Sequence, residues 1–191
     1  MSAVDAAERL ERLERLADEP DPARRRMRAL ALLADRLAEE GIVPILVGGA
    51  ALEHYTAGGY ATKDVDLALP NAPEVDAAFA DLGFDKEGRY WFREDLDLLF
   101  EAPAPAGLPG EDAQRQVVEV DGLPVEIIGL EDLILDRFRA YVHRRSDEDL
   151  RWARRLVGLY SDRLDRDYLR AKTAARPAEA AALADLLGEA R

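Results

Sequence analysis

Ile45-Leu46-Val47-Gly48-Gly49-Ala50-Ala51-Leu52-Glu53-His54-Tyr55-Thr56-Ala57-Gly58-Gly59-Tyr60-Ala61-Thr62-Lys63-Asp64-Val65-Asp66-Leu67-Ala68-Leu69 decides the reading of this chain. The short apolar run from Pro44 to Val47 lies between Gly41 and Gly48-Gly49 and reads as a buried strand. A sharp turn at the paired glycines then leads into a helix over Ala50 to Thr56. Glycine has no Cβ, so a backbone or an anion can come close there, and the start of a helix offers unpaired N–H groups and a positive dipole end. In the strand that follows, Asp64 and Asp66 share one face about 6.6 Å apart, with Val65, Leu67 and Leu69 on the other. Two ionised carboxylates at about 7 Å repel by roughly 2 kcal/mol at an effective dielectric near 20, a cost that a divalent cation reverses.

Asp95-Leu96-Asp97-Leu98-Leu99-Phe100-Glu101 repeats the pattern, with Leu96, Leu98 and Phe100 on one face and Asp95, Asp97 and Glu101 on the other. The two strands predict a sheet with one apolar and one acidic face. Mg²⁺ takes oxygen ligands and is commonly held by one or two carboxylates plus phosphate oxygens. Asp64, Asp66 and Asp97 are therefore the candidate metal ligands and catalytic residues, with Asp95 and Glu101 as local competitors for the third place.

Val47, Gly48-Gly49, Asp64-Val65-Asp66-Leu67 and Leu96-Asp97-Leu98 together resemble the signature of the nucleotidyltransferase superfamily of the DNA polymerase β type. In that pattern a hydrophobic residue precedes Gly-Gly or Gly-Ser, and an Asp-x-Asp and a third carboxylate follow. The spacer Ala50 to Lys63 is slightly long, and Gly49 stands where the family often has serine, so backbone N–H groups would hold a phosphate. A second stretch, Val125 to Ala140, resembles small bacterial and archaeal nucleotidyltransferases, including toxin-like members of abortive-infection systems. Arg137 occupies a position that is often lysine, and Asp149 matches a later acidic residue.

The resemblance covers roughly residues 42 to 158. It implies an α+β fold, a mixed sheet flanked by helices, and Mg²⁺- or Mn²⁺-dependent transfer of NMP from an NTP such as ATP to a hydroxyl on a protein, RNA or small molecule. In that scheme Gly48, Gly49, Lys63 and Arg137 contact the nucleotide. The alternative it implies is a non-catalytic module that binds a partner protein, as in a toxin–antitoxin pair.

Around this core the pattern is helical. Leu10, Leu13 and Ala17 stripe a helix over Ala3 to Asp18, and Glu19-Pro20-Asp21-Pro22 breaks it. Pro22 opens a second helix to about Glu40, with Met27, Leu30, Leu33 and Leu37 as core or dimer contacts. Further elements are a helix over Glu74 to Leu82, a strand over Phe84 to Phe92, a Pro/Gly-rich loop over Ala102 to Gly110, and a hairpin turning at Asp121-Gly122. Four helices follow at about 130–143, 147–160, 165–174 and 178–190, packed by Trp152, Leu156 and Leu159. The expected organisation is an N-terminal helical segment (1–41), a nucleotidyltransferase core (42–129) and a C-terminal helical bundle (130–191), with the terminal helices available for a partner protein or a homodimer.

With 26 Lys and Arg against 39 Asp and Glu, the chain of 191 residues carries a formal charge of -13, which argues against strong general binding to nucleic acid. It has no cysteine, hence no disulfide or thiolate metal site. Without a signal peptide or an apolar stretch of membrane-spanning length, a cytoplasmic protein with no membrane association is expected. His54 and His143, isolated in the sequence, read as surface or interface residues.

Overall fold

The computed structural model of the chain describes residues 5–102 and 113–189, and the expected Pro/Gly-rich loop lies almost wholly outside them. Two compact units are present, one formed by Met1–Glu111 with Arg115–Ile128, the other by Asp112–Gln114 with Gly129–Arg191. The N-terminal helices thus belong to the same unit as the sheet.

In the first unit α1 (Ala6–Glu14) tightens into a 3₁₀ turn at Arg15–Asp18, and α2 spans Pro22–Ala38. Asp21 caps α2 by accepting from the Ala23 and Arg24 N–H groups, and Pro22 takes the first turn, where its missing donor costs nothing. Leu30, Leu33 and Leu37 are fully buried, so the apolar stripe of α2 is spent in the core of its own unit. Arg9, 2% exposed, ties α1 to α2 through a two-pronged pair with Asp35 (3.0 and 2.8 Å) and a bond to Glu39 at 2.7 Å. Burial works against the charged guanidinium, but the hydrogen bonds and charges of Asp35 and Glu39 outweigh it and hold the group above its ordinary value.

The seven-stranded sheet runs β3 (Asp85–Glu87), β4 (Tyr90–Arg93), β5 (Leu98–Glu101), β2 (Val65–Ala68), β1 (Ile45–Leu46), β7 (Leu123–Ile128), β6 (Arg115–Val120). β1 lies antiparallel to β2 and parallel to β7, and β2 lies parallel to β5. Leu46 stands opposite Leu67 and Val65 opposite Phe100, so these apolar side chains share one face. Among the described residues, α3 (Gly48–Tyr55) and α4 (Pro73–Asp81) complete the unit's helices. Phe79 of α4 stacks on Trp91 at 4.4 Å and meets Phe84 and Phe100 edge-on, which locks the far end of the sheet.

The α+β class is as expected, with two local departures. The stretch over Phe84 to Phe92 is a hairpin rather than one strand, turning at Gly88, whose φ of +61° suits a residue without a Cβ. The acidic run before β5 is not extended either. Glu94–Leu96 forms a 3₁₀ turn, and Asp97 closes it in the left-handed region at φ 49°.

The second unit contains α5 (Leu130–Arg144), α6 (Asp147–Leu159), α7 (Arg166–Thr173) and α8 (Pro177–Leu186). Leu133, Ile134, Phe138, Leu156, Leu169 and Leu183 are buried within it. Leu159, expected as packing, is instead 54% exposed at the last turn of α6. Glu179 on α8 is buried and accepts from His143 at 2.8 Å and Arg139 at 3.2 Å, both on α5. Burial alone raises a carboxyl; here the His143 and Arg139 bonds outweigh it and hold Glu179 below its ordinary value. No helix among the described residues is long and apolar enough to cross a membrane.

A depressed carboxyl stabilises the fold fully above its unfolded value of 4.5, and that contribution is lost as pH falls through the lower folded value. Glu179→Ala should lower the stability of this unit by about 2–4 kcal/mol at pH 7, the range for stripping one partner from a buried pair whose cations are partly solvated. Denaturant melts at pH 7 and pH 3 check this: the gap between wild type and variant should shrink at the lower pH, and a constant gap would show that lost packing is responsible.

Candidate active site

Asp66 leaves β2 on the face opposite Val65 and Leu67, and Asp64, in the bend just before the strand, converges on the same group. The parallel pairing of β2 with β5 sets Asp66 beside Glu101. One carboxylate oxygen from each of Asp64, Asp66 and Glu101 lies within 4.8 Å of the others, and all three residues are half-buried. Asp97 is not part of this group. It precedes β5, and the 3₁₀ turn with its left-handed residue breaks the extended phase that would have aligned it with Asp66. The third carboxylate is therefore Glu101, which shares the parity of Asp97 but lies where the two strands pair. Asp95 is engaged elsewhere, forming two bonds with Arg93.

Each carboxylate is held by a neighbour. The Thr62 hydroxyl donates to Asp64 at 2.5 Å. Arg89, at the turn between β3 and β4, reaches Glu101 at 2.9 Å. Burial pushes the Glu101 carboxyl above its ordinary range; the Arg89 guanidinium opposes this, and the charges of Asp66 and Asp64 add to it.

Asp66 also fixes the glycine turn. Its main chain pairs with Val47, whose N–H donates to the Asp66 carbonyl at 3.0 Å. Its carboxylate accepts from the Gly49 N–H at 3.1 Å, acting as a cap for α3, since Val47 at the cap position has no side-chain acceptor. A Cβ on Gly48 would fall 2.0 Å from Asp66 Oδ2, and Gly48 sits at φ +60°. On Gly49 the same atom would come within 3.1 Å of the Thr62 hydroxyl and 3.3 Å of the Tyr60 ring. Gly48 is thus required by the Asp66 carboxylate, whereas a side chain at Gly49 would ask Thr62 and Tyr60 to give way slightly. Sequence reasoning missed Thr62 and Arg89; the Thr two positions before Asp64 was the visible signal, whereas Arg89 depends on a hairpin that was read as a single strand.

Lys63 is exposed beside Asp64. Arg137 lies in the second unit, bonded to Asp136 at 2.6 Å and Asp149 at 3.0 Å. The set of Asp64, Asp66 and Glu101 suits a hard divalent cation such as Mg²⁺ or Mn²⁺, for it offers only oxygen donors, all converging, with an excess of negative charge that already perturbs Glu101.

No protein-family model matches the chain, and no curated protein matches it in sequence. Its structure is similar to the crystal structure of an antigenic nucleotidyltransferase-like protein from Paracoccidioides brasiliensis, with a TM-score of 0.55 and 16% identity over 86% of this chain and 93% of that one. The chain accordingly has a nucleotidyltransferase-like fold. More distant likenesses are to a solution structure of the antibiotic-resistance factor ANT(2″)-Ia (TM-score 0.49, 20% identity, 76% of this chain and 89% of that one) and to its crystal structure with adenylyl-2″-tobramycin (0.47, 21%, 76% and 94%).

Gly48→Ala should destabilise the first unit by about 2–4 kcal/mol, combining the cost of a left-handed non-glycine residue with a forced shift of Asp66. Gly88→Ala, at a comparable φ of +61° with open space around it, is the control and should cost only the backbone part. Equal losses in chemical melts of the two variants would mean that Asp66 moves aside without resistance.

Proposed function

We propose that the protein is a divalent-metal-dependent nucleotidyltransferase, moving NMP from an NTP to a hydroxyl acceptor. The observation that carries this reading is the convergence of Asp64, Asp66 and Glu101 beside the start of α3 in a nucleotidyltransferase-like fold. Asp64 and Asp66 bind Mg²⁺ or Mn²⁺, and Glu101 completes the ligand set in the place first assigned to Asp97. When bound, the cation neutralises charge on the transferring phosphoryl group and lowers the pKa of the attacking hydroxyl.

The chain's own residues supply the rest. Thr62 fixes the rotamer of Asp64, and the Gly49 N–H fixes that of Asp66, so the two oxygens are aimed before substrate arrives. Glu101, with its raised carboxyl, accepts the proton of the acceptor hydroxyl, a role suited to a base poised above the usual carboxylate range. The start of α3 at Gly48 and Gly49 faces the triphosphate with backbone N–H groups, and Lys63 supplies a cation beside Asp64. The acceptor is a protein, an RNA or a small molecule.

Two measurements test the proposal. Mg²⁺ or Mn²⁺ with a non-hydrolysable NTP should raise the melting temperature of the wild type by mass action, and Asp64→Asn with Asp66→Asn should remove that shift; a double mutant that keeps it binds metal elsewhere. Labelled NTPs offered with protein, RNA and small-molecule acceptors should show incorporation that Glu101→Gln cuts by at least about a hundredfold, the low end of general-base contributions, and Asp97→Asn leaves unchanged. The reverse outcome would restore Asp97 as the third carboxylate. Failure of every acceptor class with the wild type would favour a non-catalytic module that binds a partner protein.

A further inference from the structure

The sheet of the first unit ends at two edge strands, β3 and β6. β3 is three residues long, and Asp85, Lys86 and Glu87 are all exposed. A second β3 laid antiparallel about its centre would set Asp85 against Glu87 and Lys86 against itself, so this edge repels its own copy. β6 has six residues and carries Val117, which at 61% is the most exposed large hydrophobic side chain among the described residues.

Pairing with β7 fixes which backbone groups of β6 face outward. Both central residues of the Asp121-Gly122 turn have positive φ (50° and 82°), the form that closes a two-residue hairpin on a hydrogen-bonded pair, here Val120 and Leu123. Bonded and non-bonded pairs alternate from there, so Val118 and Gln116 also direct their backbone groups at β7. Glu119 stands opposite Pro124, which has no N–H to give, in agreement with a non-bonded place. The N–H and C=O groups of Arg115, Val117 and Glu119 therefore point away from β7, along an edge with no further strand among the described residues.

These three residues match a copy of themselves. An antiparallel second β6 centred on Val117 pairs that valine with itself and Arg115 with Glu119 at both ends, and the outward backbone groups of each strand meet those of the other. The three side chains share one face, so the valines cover each other between two ion pairs. Arg115 Nη1 bonds Glu126 at 3.0 Å, which holds the guanidinium over the sheet, and Glu119 has no ion-pair partner among the described residues. A register shifted by two residues sets Val117 against a charge instead.

We propose that β6 is a homodimer edge: two copies of the chain join their sheets antiparallel about a two-fold axis at Val117, with Arg115 of each strand opposite Glu119 of the other. The chain has no cysteine, so introduced cysteines read the register. Bonded antiparallel partners have Cα atoms about 5.5 Å apart, within the reach of a disulfide. Under mild oxidation Val117→Cys should form covalent dimer at least tenfold faster than Arg115→Cys or Glu119→Cys, each roughly 13 Å along the strand from its own copy; mixing the latter two should give the cross-linked pair. In sedimentation at about 0.15 M salt, where repulsion between chains of charge -13 is screened beyond about 8 Å, the wild type should show a reversible monomer–dimer equilibrium. Val117→Pro removes an N–H that no bond to β7 uses, so it should keep the melting transition and weaken the dimer at least tenfold. If Val117→Pro fails to fold, the cysteine series decides. The proposal is overturned by a wild type that stays monomeric at every concentration up to millimolar, by Val117→Cys cross-linking no faster than Arg115→Cys, or by an unchanged dimer in a folded Val117→Pro.

Discussion

The first unit is organised around the approach of the Asp66 carboxylate to the backbone at Gly48. The oxygen lies where a side chain on residue 48 would begin, and from there it accepts from the next N–H along. Three features meet in that contact. The left-handed φ of Gly48 turns the chain out of β1, the carboxylate caps a helix with no other side-chain cap, and the same group is held at the mouth of the acidic cluster. Any residue other than glycine at position 48 would have to displace the acid, so the turn, the helix start and the candidate ligand stand or fall together.

The second determinant is strand pairing. Asp64 and Asp66 are brought together locally, but the third carboxylate is fixed by the parallel register that sets Asp66 beside Glu101. The hairpin of β3 and β4 adds Arg89, whose guanidinium reaches across to Glu101 and partly offsets the repulsion among the three acids. The cluster is therefore a balance between half-buried, mutually repelling acids and the exposed guanidinium of Arg89. Such a site gains most when a divalent charge arrives, since the repulsion becomes attraction while the geometry is already set.

Local patterns made the first half of the site legible. The apolar run, the paired glycines and the Asp-x-Asp alternation all follow from residues within one or two positions of each other, and the structure has a turn, a helix and a strand there. Asp97, expected as the third carboxylate, lies outside the converging group because parity along 95–101 assumes continuous extended chain, and the left-handed Asp97 breaks that continuity. Parity allowed both Asp97 and Glu101; only a pairing made by residues some 35 positions apart in sequence chooses between them. The leucine stripe of α2 was legible as apolar, yet the pattern could not distinguish core from dimer contacts, a choice decided by packing within the unit. Arg9 and Glu179 were not singled out at all, because a buried ion pair looks in sequence like any charged residue on a helix.

The two faces of β2 carry different kinds of chemistry, and the reason is the two-residue period of a strand. Asp64 and Asp66 face the cluster, whereas Val65 and Leu67 face the helical layer, where Arg26 is buried against Glu53. On the acidic side a shortage of cations leaves unbalanced negative charge, and on the other side a buried donor lacks an acceptor although the charges around it are nearly balanced. A strand of four residues separates an excess of charge from a deficit of hydrogen bonding.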